Sequence, residues 1–207
     1  MKKTKEKILD SAQQLFNKYG VADVSLRKIS SEIGISHTNL IYHFKTKNEI
    51  LDQLHLRILS AAKRENDQLK GEEDTILGLL RATESGFEVL YKFRFFMIDL
   101  NYIMRTNKSL HNFFLEVEQV RAQMYRNQIK EMITKKLMRK EEYESEYEKL
   151  ITQIRIFSDY WISSSAIYCD GSIREIIKEH VEMLMNMFYP YLTTNGKKIY
   201  KFCMKKL

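Results

Sequence analysis

The sequence predicts an all-α protein: a three-helix head carrying a helix-turn-helix, then a larger helical domain, about nine helices in all. Three observations carry this. One proline and seven glycines punctuate 207 residues, too few breaks for a sheet, which needs many turns. Apolar residues recur at helical spacing through most of the chain. The stripes open on Ser or Thr and close on Gly, the residue types that cap the two ends of a helix.

The elements follow in order. Ile8, Leu9, Ala12, Leu15, Phe16 and Tyr19 make one apolar stripe, with Thr4 as its cap and Gly20 as its stop. Ser25 caps a second helix that buries Leu26, Ile29 and Ile33 and ends at Gly34. Ser36 caps a third, with Leu40 and Phe44 turned inward. Thr46 caps a fourth, which starts at Lys47 and runs toward residue 69 on Ile50, Leu51, Leu54, Ile58, Leu59 and Ala62. Gly71 breaks the pattern, and the acids at 72–74 suit the positive end of a new helix. Five further helices are predicted over 74–91, 93–105, 108–138, 142–169 and 172–191, and a frayed basic tail after Gly196. The domains are then 1–46 (head), 47–69 (connecting helix), 70–192 (larger domain) and 193–207 (tail).

Charge is uneven. Residues 1–50 hold nine Lys/Arg against five Asp/Glu, residues 197–207 hold five lysines and no acid, and the rest holds 20 against 22. A basic head beside a near-neutral body suggests a polyanionic partner for the head. Two cysteines, Cys169 and Cys203, make neither a disulfide framework nor a metal site. With no apolar leader and no run of 18 apolar residues, the expectation is a cytoplasmic protein. There is no glycine-rich phosphate loop, no histidine pair at metal spacing and no Glu-x-x-His, so neither an enzyme nor a cofactor is expected.

Two short helices joined by a tight glycine turn form a DNA-reading unit whose second helix enters the major groove. Here the turn is EIGIS and the second helix HTNLIYHF. Packing uses Ile33, Ile35, Leu40 and Phe44. That leaves His37, Thr38, Asn39 and Ile41 outside, with Tyr42 and His43 toward the end. Asn39 suits bidentate pairing with adenine, and Thr38 suits a base edge or a thymine methyl.

The segment VSLRKISSEIGISHTNLIYHFKTKNEIL, with the F-x-x-Y-G of Phe16, Tyr19 and Gly20, resembles the DNA-binding domain of the TetR family of bacterial repressors over roughly residues 5–54. The resemblance implies a homodimer on a palindromic double-stranded operator and a larger domain that takes a small inducer. It implies phosphate contacts at Ser25, Tyr42 and Lys47. It also implies backbone or groove contacts for Arg27 and Lys28, and base reading at Thr38 and Asn39, beyond the cap Ser36. The sequence departs from the family's common pattern at Thr38 and Ile41, where a small residue and a tyrosine are frequent. The alternative is a helical adaptor that binds protein instead of DNA.

Residues 86–125 are rich in aromatics and methionine, the side chains that line adaptable apolar pockets. Candidate ligand contacts are Phe87, Tyr91, Phe95, Tyr102, Phe114, Tyr160 and Trp161, or these residues simply fill a core. Asp99 and Asn101 are candidate buried anchors; Arg94, Arg105 or another arginine is the expected partner of Asp99, and a cationic ligand is the alternative. Ile151, Ile154, Phe157, Ser158, Trp161, Ile162 and Ser165 mark a first interface stripe. Ile173, Ile176, Ile177, Val181, Leu184, Met185 and Phe188 mark a second. Together they predict a four-helix dimer contact over about 150–188, the alternative being that the stripes only pack within one monomer.

Overall fold

A computed structural model of the chain describes residues 2–68 and 75–207. Among these residues it has eleven α-helices: α1 (Lys2–Tyr19), α2 (Leu26–Glu32), α3 (His37–His43), α4 (Lys47–Gln68), α5 (Thr75–Lys92), α6 (Arg94–Ile98), α7 (Leu100–Thr106), α8 (Lys108–Thr134), α9 (Glu146–Tyr168), α10 (Ile173–Phe188) and α11 (Thr194–Met204). The expected break at Gly71 and the acidic start at 72–74 lie outside the described residues. Contacts divide the chain into two compact units. The first is Met1–Lys63 with Val89–Phe114, the second Arg64–Glu88 with Leu115–Leu207.

In the first unit α1, α2 and α3 pack around Ile8, Ala12, Phe16, Val21, Ile29, Leu40 and Phe44, all buried. Leu26, expected in this core, is only half-buried. The α2–α3 turn is a Schellman motif: the Ile35 N–H donates to Ser30 O at 3.0 Å and the Gly34 N–H to Ser31 O at 3.2 Å. Such a turn needs a left-handed residue, and Gly34 has φ +68°. Thr46 caps α4 through the Glu49 N–H at 3.2 Å, and the Glu49 carboxylate accepts from the Lys45 N–H at 2.9 Å. Arg57 ties α4 to α1 through Asp10 at 2.7 Å and through Glu6.

Segment 89–114 is stitched to this head by polar contacts that the sequence did not announce. The Val21 N–H donates to Asp99 Oδ2 at 2.7 Å. Asn17 Oδ1 accepts from the Phe95 N–H at 3.0 Å while its amide donates to Lys92 O at 3.0 Å. Asn107 donates to Asp52 at 2.8 Å, and Phe16 and Phe95 meet at 5.3 Å. Asp99 therefore pairs with a backbone N–H of the α1–α2 turn, where an arginine was expected. The helix expected over 93–105 breaks at Asp99 into α6 and α7. Asn101, expected buried, is exposed.

In the second unit α8 ends at Thr134, earlier than the 138 expected, in another Schellman turn. The Leu137 N–H donates to Met132 O at 2.8 Å and the Lys136 N–H to Ile133 O at 3.0 Å, with Lys136 left-handed at φ 56°. No glycine marks this stop, which is why the pattern hid it. The loop then forms a β-bridge between Met138 and Leu192, and Arg139 pairs bidentately with the buried Glu146 at 2.8 and 2.7 Å. That pairing holds the Glu146 carboxyl down at about 2. The loop delays α9 to Glu146, against the 142 expected.

The tail is not frayed. Thr193 caps α11 through the Gly196 N–H at 3.1 Å. A Cβ on Gly196 would stand 2.1 Å from Leu137 O, so only glycine permits this approach. Tyr200 donates to Asn186 at 2.7 Å, and Cys203 is fully buried. Gly196 reads in sequence as a terminator. In the fold it is a contact point.

Candidate nucleic-acid interface

The outer face of α3 is built by its caps and its core. Ser36 Oγ accepts the Asn39 N–H at 3.1 Å, which fixes the first turn. Leu40, fully buried, fixes the rotation. Thr38 and Asn39 are then exposed, and Tyr42 stands out with 71% of its surface free. Ile41, His37 and His43 are half-buried. His43 lies edge-on to Tyr42 at 5.4 Å, supporting the phenol from the side. His37 Nδ1 is buried without a hydrogen bond among the described residues.

The α2 start offers Ser25, whose Oγ accepts the Lys28 N–H at 3.2 Å, and an exposed Arg27. Lys28 lies over the Tyr19 ring at 3.6 Å, so its ammonium is held against an aromatic face. Lys47 is occupied too. Its ammonium donates to Val21 O at 2.6 Å and Ala22 O at 3.4 Å, and Tyr102 lies 5.9 Å away. Burial pulls Lys47 below the usual lysine range, while Asp23 and Asp99 act the other way. Asp99 on the Val21 N–H and Lys47 on the Val21 carbonyl thus grip both sides of one residue in the α1–α2 turn.

Profiles of known families match nearly the whole chain. Residues 8–54 match the bacterial regulatory proteins of the tetR family, and residues 57–200 match the bacterial transcriptional repressor TetR. The chain belongs to the TetR family. The tetracycline repressor protein class D of Escherichia coli is 34% identical over 56 residues, 27% of this chain and 26% of that protein. The match to this curated relative thus spans about a quarter of its length. A TetR-family transcriptional regulator from Marinobacter aquaeolei VT8 shares the fold at TM-score 0.86, 20% identity and 98% coverage of each chain. A transcriptional regulator from Saccharomonospora viridis, in complex with choline, shares it at TM-score 0.74 and 17% identity. That alignment covers 93% of this chain and 100% of the other. A chain of the TetR family thus carries the helix-turn-helix on α2 and α3.

The eight ligand candidates are not brought to one place within a unit. Phe87 and Trp161 stack at 4.6 Å in the second unit and are buried, while Tyr160 is 43% exposed there. Tyr91, Phe95, Asp99, Tyr102 and Phe114 fall in the first unit. Phe95 is core, and Tyr91 lies against Arg94 at 5.5 Å. Phe114 belongs to an aromatic cage that the sequence reading missed. There His55, 3% exposed, stacks on Phe96 at 5.0 Å and meets Phe113 at 5.4 Å and Phe114 at 6.3 Å. Its Nδ1 finds no hydrogen bond among the described residues, and burial lowers its pKa to about 4. The signal was present: His55 follows Leu54 on the buried stripe of α4.

The interface stripes need correcting. Ile151, Ile154, Ser158, Trp161, Ile162 and Ser165 are buried within the monomer, as are Ile177, Val181, Leu184, Met185 and Phe188. Phe157 is half-buried, stacked near His180 at 6.1 Å. These residues are used in packing α9 and α10 on their own chain. The large apolar residues left exposed are Ile156, Tyr160, Ile167 and Tyr168 on α9, with Ile173 and Met183 on α10. Among the described residues, no helix is long and apolar enough to cross a membrane.

Proposed function

We propose that the chain is a ligand-responsive repressor that binds a palindromic DNA operator as a homodimer. The observation that carries this reading is the outer face of α3, where Thr38, Asn39 and Tyr42 are exposed on a helix fixed by its cap and by Leu40. Asn39 reads a base edge and Thr38 a base edge or a methyl. Tyr42, Ser25 and Arg27 hold phosphates, with Lys28 and Lys47 adding field more than direct contact because both ammonium groups are engaged. His37, Ile41 and His43 shape the edge of the reading face, and Ser36 sets its start.

Dimerisation uses Ile156, Tyr160, Ile167, Ile173 and Met183, whose exposure on two consecutive helices suits a self-complementary contact. The two reading helices then address half-sites about 34 Å apart or somewhat more. An effector acts through α4, an uninterrupted helix from the base of the helix-turn-helix to Gln68. It needs a few kcal/mol of differential affinity to shift the equilibrium. The choline held by the Saccharomonospora viridis protein supports a small-molecule role for a chain of this fold.

The test is fluorescence anisotropy on an operator chosen from random DNA. Asn39→Ala is expected to weaken binding by about 1–3 kcal/mol and relax one position of the site. Tyr42→Ala is expected to weaken all sequences alike and flatten the salt slope by about one unit. Unchanged affinity in both variants removes α3 as the reading helix.

A further inference from the structure

A cleft of about 370 Å³ opens between α8 and α9 in the second unit, at the low end of small-molecule site volumes. Leu115, Ala122 and Ile151 are its apolar lining, beside the polar Gln119, Tyr125 and Thr152. Arg121, which lines it, brings one nitrogen, Nη2, to two carboxylates, Glu118 Oε2 at 2.6 Å and Asp159 Oδ1 at 2.9 Å. Both carboxylate side chains are only 12% exposed. The in-line hydrogen bond goes to Asp159. Glu118 Oε2 lies off the N–H axis and accepts no such bond from any described residue. Burial is the main effect on Glu118 and raises its pKa, Asp159 adds to the rise, and Arg121 and Arg155 oppose it.

The remaining charges sort themselves. Arg126 is spent on Glu148, bidentately at 2.7 and 2.8 Å. Arg155 lines the cleft and is exposed, and among the described residues it has no carboxylate within ion-pair distance. Glu118, whose Oε2 has no in-line donor beside its close Arg121 contact, and the exposed Arg155, which acts on Glu118 through its charge alone, thus face one cleft of mixed polar and apolar walls. A buried carboxylate short of donors is costly, and a ligand N–H removes that cost. Guanidinium in turn matches a carboxylate in planar geometry.

We propose that this cleft binds an apolar α-amino acid, its ammonium on Glu118, its carboxylate on Arg155 and its side chain against Leu115, Ala122 and Ile151. A molecule with only one of the two charges leaves either Glu118 or Arg155 unmet, and sites built to hydrogen-bond a group discriminate strongly against analogues that lack it.

The test is calorimetry of the full chain, without DNA, against the twenty L-α-amino acids. L-leucine is then compared with 4-methylpentanoate and isoamylamine, or the tightest apolar amino acid with its own deaminated and decarboxylated analogues. The expected result is saturable binding of an apolar amino acid, at least about tenfold tighter than either analogue. Arg155→Ala and Glu118→Gln should each lose at least about tenfold, while unliganded Arg155→Ala, changed at an exposed position, unfolds at the wild-type midpoint. Three results overturn the proposal: no amino acid binding up to about 10 mM, analogues binding as well as the amino acid, or both variants binding like wild type. None of these touches operator binding, so this site and the DNA reading fail independently.

Discussion

Residues 25–47, which hold α2, α3 and their turns, and residues 134–146, the loop between α8 and α9, are specified in different ways. In the first, the caps and the turn are fixed locally, while Leu40 and Phe44 seat the helices on the core. Ser25 caps three residues on, Ser36 caps three residues on, and Ile35 reaches back to Ser30. In the second, a local Schellman turn and the Arg139–Glu146 pair are joined by partners far away in sequence. Thr193 donates to Lys136 O at 2.8 Å, 57 positions apart, and the Arg139 N–H donates to Tyr191 O at 2.9 Å. A reading helix must be presented in one orientation whatever the rest of the chain does, and local caps achieve that. A body free of that demand is able to rest on long-range contacts, and its loops carry no conspicuous sequence signal.

The largest expected effect breaks a long-range contact. Gly196→Ala forces a methyl toward Leu137 O, at a cost of about 3 kcal/mol in chemical denaturation. A loss no larger than that of a surface substitution would mean that α11 is not docked in solution. Next is Asp99→Leu, which strips the Val21 N–H of its partner and is expected to cost about 1–3 kcal/mol. Asp99→Asn keeps an acceptor and should recover much of this. Equal losses in the two variants would show that charge near Lys47, not the hydrogen bond, is what matters.

His55 supplies a pH test. Its folded pKa of about 4 lies below the ordinary 6.5, so the unfolded chain takes up its proton first. Its contribution is complete above about pH 6.5 and is lost as pH falls toward 4, at up to about 1.4 kcal/mol per pH unit. His55→Leu should remove that part of the slope between these limits. An unaltered slope would mean that His55 already has a partner. Smallest is Arg126→Met, which removes an exposed pair with Glu148 and should change stability by less than about 1 kcal/mol.

These effects follow what was legible. The first four helices, the caps Ser25, Ser36 and Thr46 and the exposure of Thr38, Asn39 and Tyr42 could be read, because capping and helical period act over a few residues; Thr4, expected to cap α1, lies inside it, since α1 starts at Lys2. The break at Asp99 could not. Its carboxylate is drawn to Val21, 78 positions away, and nothing near Asp99 announces that partner. The stripes on α9 and α10 were recognised as apolar, yet periodicity does not say whether a face packs on its own chain or on a second copy. Ile154 and Val181 went inward, and Ile156 and Met183 stayed out. The polar network of Glu118, Arg121 and Asp159 was missed because its members sit on two helices 38 positions apart and look like ordinary surface charge.

The central claim is that α3 reads DNA as part of a two-fold pair. Selection of bound sequences from a random duplex library, followed by affinity measurement across salt concentrations, tests it most directly. The account predicts enrichment of an inverted repeat with half-site centres about 10 base pairs apart or somewhat more, and an affinity that falls steeply as salt rises. No enriched sequence, together with affinity indifferent to salt, would contradict it.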